Sequence, residues 1–348
     1  MTRPRLELVS LQKEYGGDVV AVDNIDLAVG AGETVALLGP SGCGKSTTLN
    51  MIVGLEEPTG GDIQIDGKSV VGVPPGKRDV GLVFQDYAIF TSMSVRKNIA
   101  FGLQVRGMDK QAIDRAVNEV AELLDMRDRL DARARDLGGS ELQRVAIART
   151  LVTRPSILLL DEPLSNLEAD ARLAMRRELR RLQSEIGITI IYVTHDQIEA
   201  LSLADRIAVM RAGKILQVEE TARIYDRPDH AFVAGFLGSP PMNLIRGELR
   251  NDEAGLHFYR SGFSLPFSVA DGAEGPCTLG IRPESLGFGA MTDSGWQGQV
   301  QLVEPRGPEV VLTVDVASVE LKILAPSGAY PGEGETVVLT ADPAALVF

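Results

Sequence analysis

The stretch GPSGCGKST at Gly39–Thr47, read together with LLLDEP at Leu158–Pro163, decides the fold of this 348-residue chain. The first fits G-x-x-x-x-G-K-[ST], a loop whose backbone amides cradle phosphate groups. The second is an apolar run closing on two acids, where nucleotide-hydrolysing folds keep a magnesium-holding Asp and a neighbouring base. Their pairing in this order makes an ordinary glycine-rich turn a poor account of the first. Val35–Leu38 is a short apolar strand leading into the loop. Gly39, Gly42 and Gly44 permit the tight turn that aims N–H groups inward. Pro40, Ser41 and Cys43 fill the variable slots, and no histidine near Cys43 in sequence suggests a nucleophile. From Ser46 and Thr47 onward a helix is expected, with its N-terminus toward an anion. Lys45 can reach terminal phosphates, and the Ser46 hydroxyl can ligate Mg²⁺.

Length and composition allow two domains, each with its own core. Hydrophobic residues make up 44% and charged residues 24% of the chain, as in ordinary soluble proteins. The net charge of -13 argues against a phosphate-backbone partner such as DNA. Two cysteines, Cys43 and Cys277, make no disulfide framework and fit a reducing compartment. The start, MTRPRLELVS, lacks the apolar core of a signal peptide. No apolar run approaches the ~20 residues that span a bilayer, so at a membrane another chain would supply the spanning helices.

Residues 1–235 mix strands and helices. Leu6–Val9, Asp26–Val29, Val35–Leu38, Ile63–Ile65, Gly81–Phe84, Ile157–Leu160, Thr189–Val193 and Ile207–Met210 read as strands. The continuous runs among them imply strands buried on both faces of a parallel sheet. Residues 109–127 and 170–186 carry apolar positions at helical spacing. At GFLGSPPMN, Gly235–Asn243, a Gly/Pro break changes the texture, and residues 243–348 read as a small all-β domain, barrel-like.

These motifs together resemble the ATPase subunit of ATP-binding-cassette (ABC) importers, of the maltose and glycerol-3-phosphate type. The resemblance covers nearly the whole chain. It is carried by FQDYAIF (Phe84–Phe90), QRVAIAR (Gln143–Arg149), LLLDEPLSNLEA (Leu158–Ala169), YVTHDQIEAL (Tyr192–Leu201) and ADRIAVM (Ala204–Met210). YDRP (Tyr225–Pro228), FVAGFLGSPPMN (Phe232–Asn243) and GIRPESL (Gly280–Leu286) extend it into the importer subgroup.

The resemblance implies an α/β P-loop cassette over residues 1–235, with a helical subdomain at about 86–150, and an OB-like, TOBE-type regulatory barrel over 236–348. It also implies roles. Tyr15 would stack on adenine, Gln85 would reach Mg²⁺ and the attacking water, and Asp161 would hold the hydrated Mg²⁺. Glu162 would be the general base and His195 the switch that contacts the γ-phosphate. ATP and Mg²⁺ are the implied cofactors. Two copies would pair head to tail, placing Leu137, Gly138, Gly139, Ser140 and Glu141 of one against the ATP of the other.

That segment departs from the family's L-S-G-G-Q signature. The register set by QRVAIAR puts Gly138 at the serine, Ser140 at the second glycine and Glu141 at the glutamine. Glu168 likewise stands where Asp is usual in SNLEA. Both changes bear on the strength of the composite site. The implied partners are two transmembrane permease subunits docking near Gln85 and, through them, an extracytoplasmic solute-binding protein. The implied place is the cytoplasmic face of the inner membrane, and the implied solute a sugar, polyol or sugar phosphate. Two other classes compete: a soluble cassette serving DNA repair or translation, opposed by the acidic balance, and a non-hydrolysing subunit, opposed by intact Lys45, Asp161, Glu162, Gln85 and His195.

Overall fold

Leu158 and Leu160 face one hydrophobic core while Ile157 and Leu159, alternating with them, face another. That alternation is what a strand covered on both sides requires. The computed structural model describes residues 3–17, 19–252, 255–260, 263–264, 274–289, 295–328, 330–342 and 345–347. Parts of the expected all-β region, at 253–254, 261–262, 265–273, 290–294, 329, 343–344 and 348, lie outside these. The chain divides into two compact units, Met1–Thr221 and Ala222–Phe348.

The first unit opens with β1 (Leu6–Tyr15), β2 (Val19–Val29), β3 (Thr34–Leu38), α1 (Lys45–Val53), β4 (Gly60–Ile65), β5 (Lys68–Ser69) and β6 (Val80–Val83). Three helices follow: α2 (Val95–Val105), α3 (Lys110–Leu123) and α4 (Gly139–Leu151). The unit ends with β7 (Ile157–Asp161), α5 (Ala169–Ile186), β8 (Thr189–Thr194), α6 (Gln197–Leu203), β9 (Arg206–Arg211) and β10 (Lys214–Glu220). The central sheet runs β10-β9-β3-β8-β7-β6, parallel except for the β10–β9 pair. Every residue of β3 and β8 is buried, as their unbroken apolar runs require. A second, antiparallel sheet, β2-β1-β4-β5, closes one core over α1. β1 and β2 are longer than the apolar runs Leu6–Val9 and Asp26–Val29 indicate. Their outer halves pair as a largely exposed hairpin ending at Tyr15 and Val19, where polar residues mask the strand pattern.

Caps fix the helices on the other side. The side chain of Ser94 accepts from Lys97 N at 3.3 Å to start α2, and Asp109 accepts from Ala112 N at 2.9 Å to start α3. Ile113, Val117, Val120 and Ala121 of α3 then pack with α2, α4 and the β7 residues Leu158 and Leu160.

The second unit carries α7 (Thr221–Asp226) and α8 (Ala231–Phe236), then β11 (Asn243–Asp252), β12 (Gly255–Arg260), β13 (Phe263–Ser264), β14 (Gly275–Ile281), β15 (Leu286–Gly289), β16 (Trp296–Pro305), β17 (Glu309–Val316), β18 (Val319–Pro326), β19 (Thr336–Ala341) and β20 (Leu346–Val347). Among the described residues these form two antiparallel sheets, β13-β12-β11-β14-β20 and β15-β19-β16-β17-β18, sharing one core. The unit begins at Ala222, ahead of the Gly/Pro break at Gly235, because Arg282 beyond β14 ties the short helices to the sheets. Its guanidinium donates to Tyr225 O at 2.5 Å, to Leu237 O and to Ala234 O, and lies 3.9 Å over the Tyr225 ring.

Candidate functional site

The alternation along β7 continues past its buried leucines and places the first acid. Asp161 shares the face of Ile157 and Leu159, toward α1, and its Oδ1 accepts from Ser46 Oγ at 3.1 Å. Burial pushes the Asp161 carboxyl above its usual range and adjacent Glu162 adds to this, while the Ser46 hydroxyl and Lys45 pull it back. Among the described residues no group of three or more His, Cys, Asp or Glu side chains converges as a metal cage. The Ser46–Asp161 oxygens instead suit Mg²⁺, which binds through one or two hard oxygens, waters and substrate phosphates.

The loop between β3 and α1 is shaped by backbone proximity. A Cβ on Gly39 would lie 2.2 Å from Met210 O, and one on Gly44, at φ 104°, would lie 2.3 Å from Ala21 O. Lys45 is buried, its ammonium donating to Gly39 O at 2.8 Å and Pro40 O at 3.0 Å. Cys43 is buried beside it, and burial pushes the thiol up, the wrong direction for a nucleophile. Ser41 and Gly42 lie on the loop's exposed side, and Thr47 is half-buried on α1.

Glu162 occupies the left-handed region at φ 43°, and its N–H donates to Val193 O at 2.9 Å across to β8. A non-glycine residue held there is strained, and such strain gathers at functional positions. His195 follows β8, and its Nδ1 meets Glu162 Oε2 at 3.1 Å. Behind it Asp196 caps α6, accepting from Ile198 N and Glu199 N. Buried Glu199 accepts from Tyr192 OH at 2.8 Å and Thr194 Oγ1 at 2.9 Å, which fixes the strand end. Burial raises the Glu199 carboxyl and, with Glu199 beside it, the Tyr192 phenol.

Gln85 follows β6. Its Nε2 donates to Ser165 Oγ at 3.3 Å and its carbonyl accepts from Asn166 Nδ2 at 2.8 Å, so the two loops are joined. Ser165 in turn donates to Glu162 O at 2.8 Å. Tyr15 lies apart from this cluster, 40% exposed at the end of β1, with Lys13 Nζ 4.9 Å from its ring centre. Leu137, Gly138, Gly139, Ser140 and Glu141 do not join it either. They begin α4, with Gly138 and Gly139 exposed, as a surface offered to another molecule must be.

Two participants went unread in the sequence. Arg129 Nε pairs with Glu141 Oε1 at 2.9 Å, while Glu141 Oε2 accepts from Gly138 N at 3.1 Å. Arg149 donates to the carbonyls of Tyr87 and Ala88, two and three residues past Gln85. Arg149 sits inside QRVAIAR, but its partners are 61 and 62 residues distant, and nothing in the sequence joins them.

Comparison with known proteins agrees in all parts of the chain. The ABC transporter family profile matches residues 22–165, the MalK OB fold domain 238–286 and the TOBE domain 279–348. The sulfoquinovosyl glycerol transport ATP-binding protein SmoE of Agrobacterium fabrum is 41% identical over 344 residues, covering 97% of this chain and 95% of its own. The maltose/maltodextrin import ATP-binding protein MalK of Escherichia coli is 43% identical over 326 residues, covering 92% and 88%. Among solved structures, the cbiO1 protein of Clostridium perfringens, described as part of an ABC transporter complex, superposes with a TM-score of 0.60 at 27% identity, over 64% of this chain and 91% of its own. A dimeric bacterial ABC transporter cassette gives 0.56 at 29%, over 62% and 98%. The chain therefore belongs to the ABC-transporter family of import ATP-binding proteins with MalK-type OB and TOBE domains, and it is an ATPase.

Proposed function

We propose that this ATPase drives uptake of a carbohydrate, polyol or sugar phosphate, as a head-to-tail dimer on the cytoplasmic face of the inner membrane. The observation that carries the chemistry is the adjacent pairing of Ser46 with Asp161 and of Glu162 with His195 at the ends of β7 and β8. Lys45 and the loop amides bind the terminal phosphates. Ser46, Asp161 and Gln85 hold Mg²⁺, which neutralises phosphate oxygens when bound. Glu162 takes a proton from the water whose oxygen attacks the γ-phosphorus, while the bond to the β-phosphate oxygen breaks and ADP leaves. His195, with Nδ1 toward Glu162, turns Nε2 to the γ-phosphate. Tyr15 takes the adenine.

Leu137–Glu141 of the opposite copy completes the site. Phe90 and Phe101, each more than one-third exposed with ring centroids 4.7 Å apart, give the two permease subunits an apolar seat beside Gln85. Through them the cassette answers to an extracytoplasmic binding protein. Residues 1–235, with the helical subdomain at about 86–150, do the ATP chemistry, and residues 236–348 regulate it. The names of the relatives support the solute class. The test is phosphate release by the membrane-reconstituted transporter, with its binding protein, across a solute panel. Stimulation by one sugar, polyol or sugar phosphate is expected, and stimulation by none while a different solute class is transported would refute the assignment.

A further inference from the structure

Tyr87 and Ala88 are consecutive non-glycine residues in the left-handed region, at φ 63° and 48°. Sterics disfavour that conformation for both, so something must hold the corner. The turn itself contributes a single bond, Tyr87 N to Phe84 O at 3.0 Å. The rest comes from α4. Arg149, in its last turn, donates from one guanidinium nitrogen to Ala88 O at 2.6 Å and from another to Tyr87 O at 3.0 Å. These are charge-assisted bonds in a planar fork that an ammonium cannot reproduce. Burial lowers the Arg149 pKa, so the group is partly desolvated. Its other face lies 5.7 Å from the Phe90 ring centre, and Phe90 is pinned by Asn98 through both its N–H, at 2.9 Å, and its carbonyl, at 3.0 Å.

The Tyr87 side chain runs the opposite way along α4. Its hydroxyl lies 3.8 Å from the place a Cβ on Gly139 would occupy. Gly139 and Arg149 are ten residues apart, ~15 Å of helix, so the corner is held by Arg149 near one end of α4 and its Tyr87 ring reaches the other. Gln85 precedes this corner by two residues and is otherwise held, among the described residues, by Ser165 and Asn166.

We propose, resting on the assignment of Gln85 to the closed site, that Arg149 is the positioning residue for Gln85: its fork holds the Tyr87–Ala88 corner left-handed, so that Gln85 moves only together with α4 and with Phe90. The groups that Arg149 meets are the Tyr87 and Ala88 carbonyls and the Phe90 ring. It acts through Gln85, and its loss is therefore absorbed when Gln85 is already gone.

The experiment is a double-mutant cycle on the full-length protein, measuring kcat, the KM for ATP and the melting temperature. Arg149→Ala is expected to lower kcat about tenfold with the KM for ATP within about twofold, because Gln85 serves the closed step rather than nucleotide capture. Arg149→Lys is expected to restore the melting temperature while recovering only part of kcat. Gln85→Ala/Arg149→Ala is expected to be no slower than Gln85→Ala alone. Additive losses in the double variant would assign Arg149 a general structural role and overturn the proposal, as would a kcat for Arg149→Ala within twofold of the parent. If Arg149→Ala fails to fold, Arg149→Lys in the same cycle decides by the same non-additivity. If Gln85→Ala alone leaves kcat unchanged, the assignment of Gln85 falls first and the proposal with it.

Discussion

Arg129 and Glu141 form a salt bridge of 2.9 Å that folds the Glu141 side chain back over the first turn of α4, against the Gly138 N–H. Glu141 thus serves its own helix as half of a capping box, a favourable place for a negative charge at a helix N-terminus. The same carboxylate occupies an amide on the surface proposed to meet a γ-phosphate, and Arg129 offsets its charge.

The triple change Gly138→Ser, Ser140→Gly, Glu141→Gln is expected to raise the basal ATPase rate about tenfold, the effect of one hydrogen bond to a charged group. A serine fits at 138, where a Cβ meets nothing within 4 Å. Arg129→Ala is expected to slow the parent, by exposing the Glu141 charge, and to leave the triple variant nearly unchanged. Rates of the purified proteins check both. A triple variant no faster than the parent, though folded and binding ATP, would make LGGSE an equivalent signature.

Glu162→Gln is expected to keep ATP binding and to reduce turnover by at least about a hundredfold, since the lost group acts in the chemical step. An ATP-bound dimer should then accumulate, seen by light scattering with and without ATP. Hydrolysis near the parent rate would remove Glu162 from the base role.

Asp161→Asn is expected to raise the melting temperature of the protein without nucleotide or Mg²⁺ by roughly 2 °C near neutral pH, and to abolish turnover. The sign follows from burial. The folded protein binds the Asp161 proton more tightly than the unfolded chain, so this contribution is full below the unfolded pKa, about 4, and is lost as pH rises through the raised folded value. Melting curves across acid and neutral pH check it. The advantage of Asp161→Asn should shrink toward acid pH, where the parent carboxyl is itself protonated.

Arg282→Ala is expected to destabilise the second unit by about 3 kcal/mol, because its removal leaves the carbonyls of Tyr225, Ala234 and Leu237 without their donor. Urea unfolding followed by the fluorescence of the single Trp296, in that unit's core, reports it directly. A chain ended after Thr221 should still bind ATP, since the nucleotide-site groups all lie in the first compact unit.

Much of this protein is local in sequence and was legible there. The phosphate loop is nine consecutive residues, and the largely apolar runs at Ile157–Leu160 and Thr189–Val193 pointed to strands covered on both faces. Asp161 and Glu162 close such a run, so their place at the end of a buried strand was legible too, while the roles given to them came from the family resemblance. The altered signature was equally visible, because register against QRVAIAR needs no structure.

What only the tertiary structure decided are contacts between residues far apart in the chain. The Arg149 fork on Tyr87 and Ala88 spans 61 and 62 residues, and Arg282 reaches back 57 to Tyr225. An arginine's partner is whatever carbonyl folding brings within reach of a long side chain, and neither periodicity nor composition records it. The left-handed turns at Glu162, Tyr87 and Ala88 were hidden for a related reason. Glutamate, tyrosine and alanine carry no local preference for that conformation, and only the surrounding packing imposes it. Glu141 shows both levels at once: the sequence names the charge, and the fold, by setting Arg129 beside it, determines what that charge does.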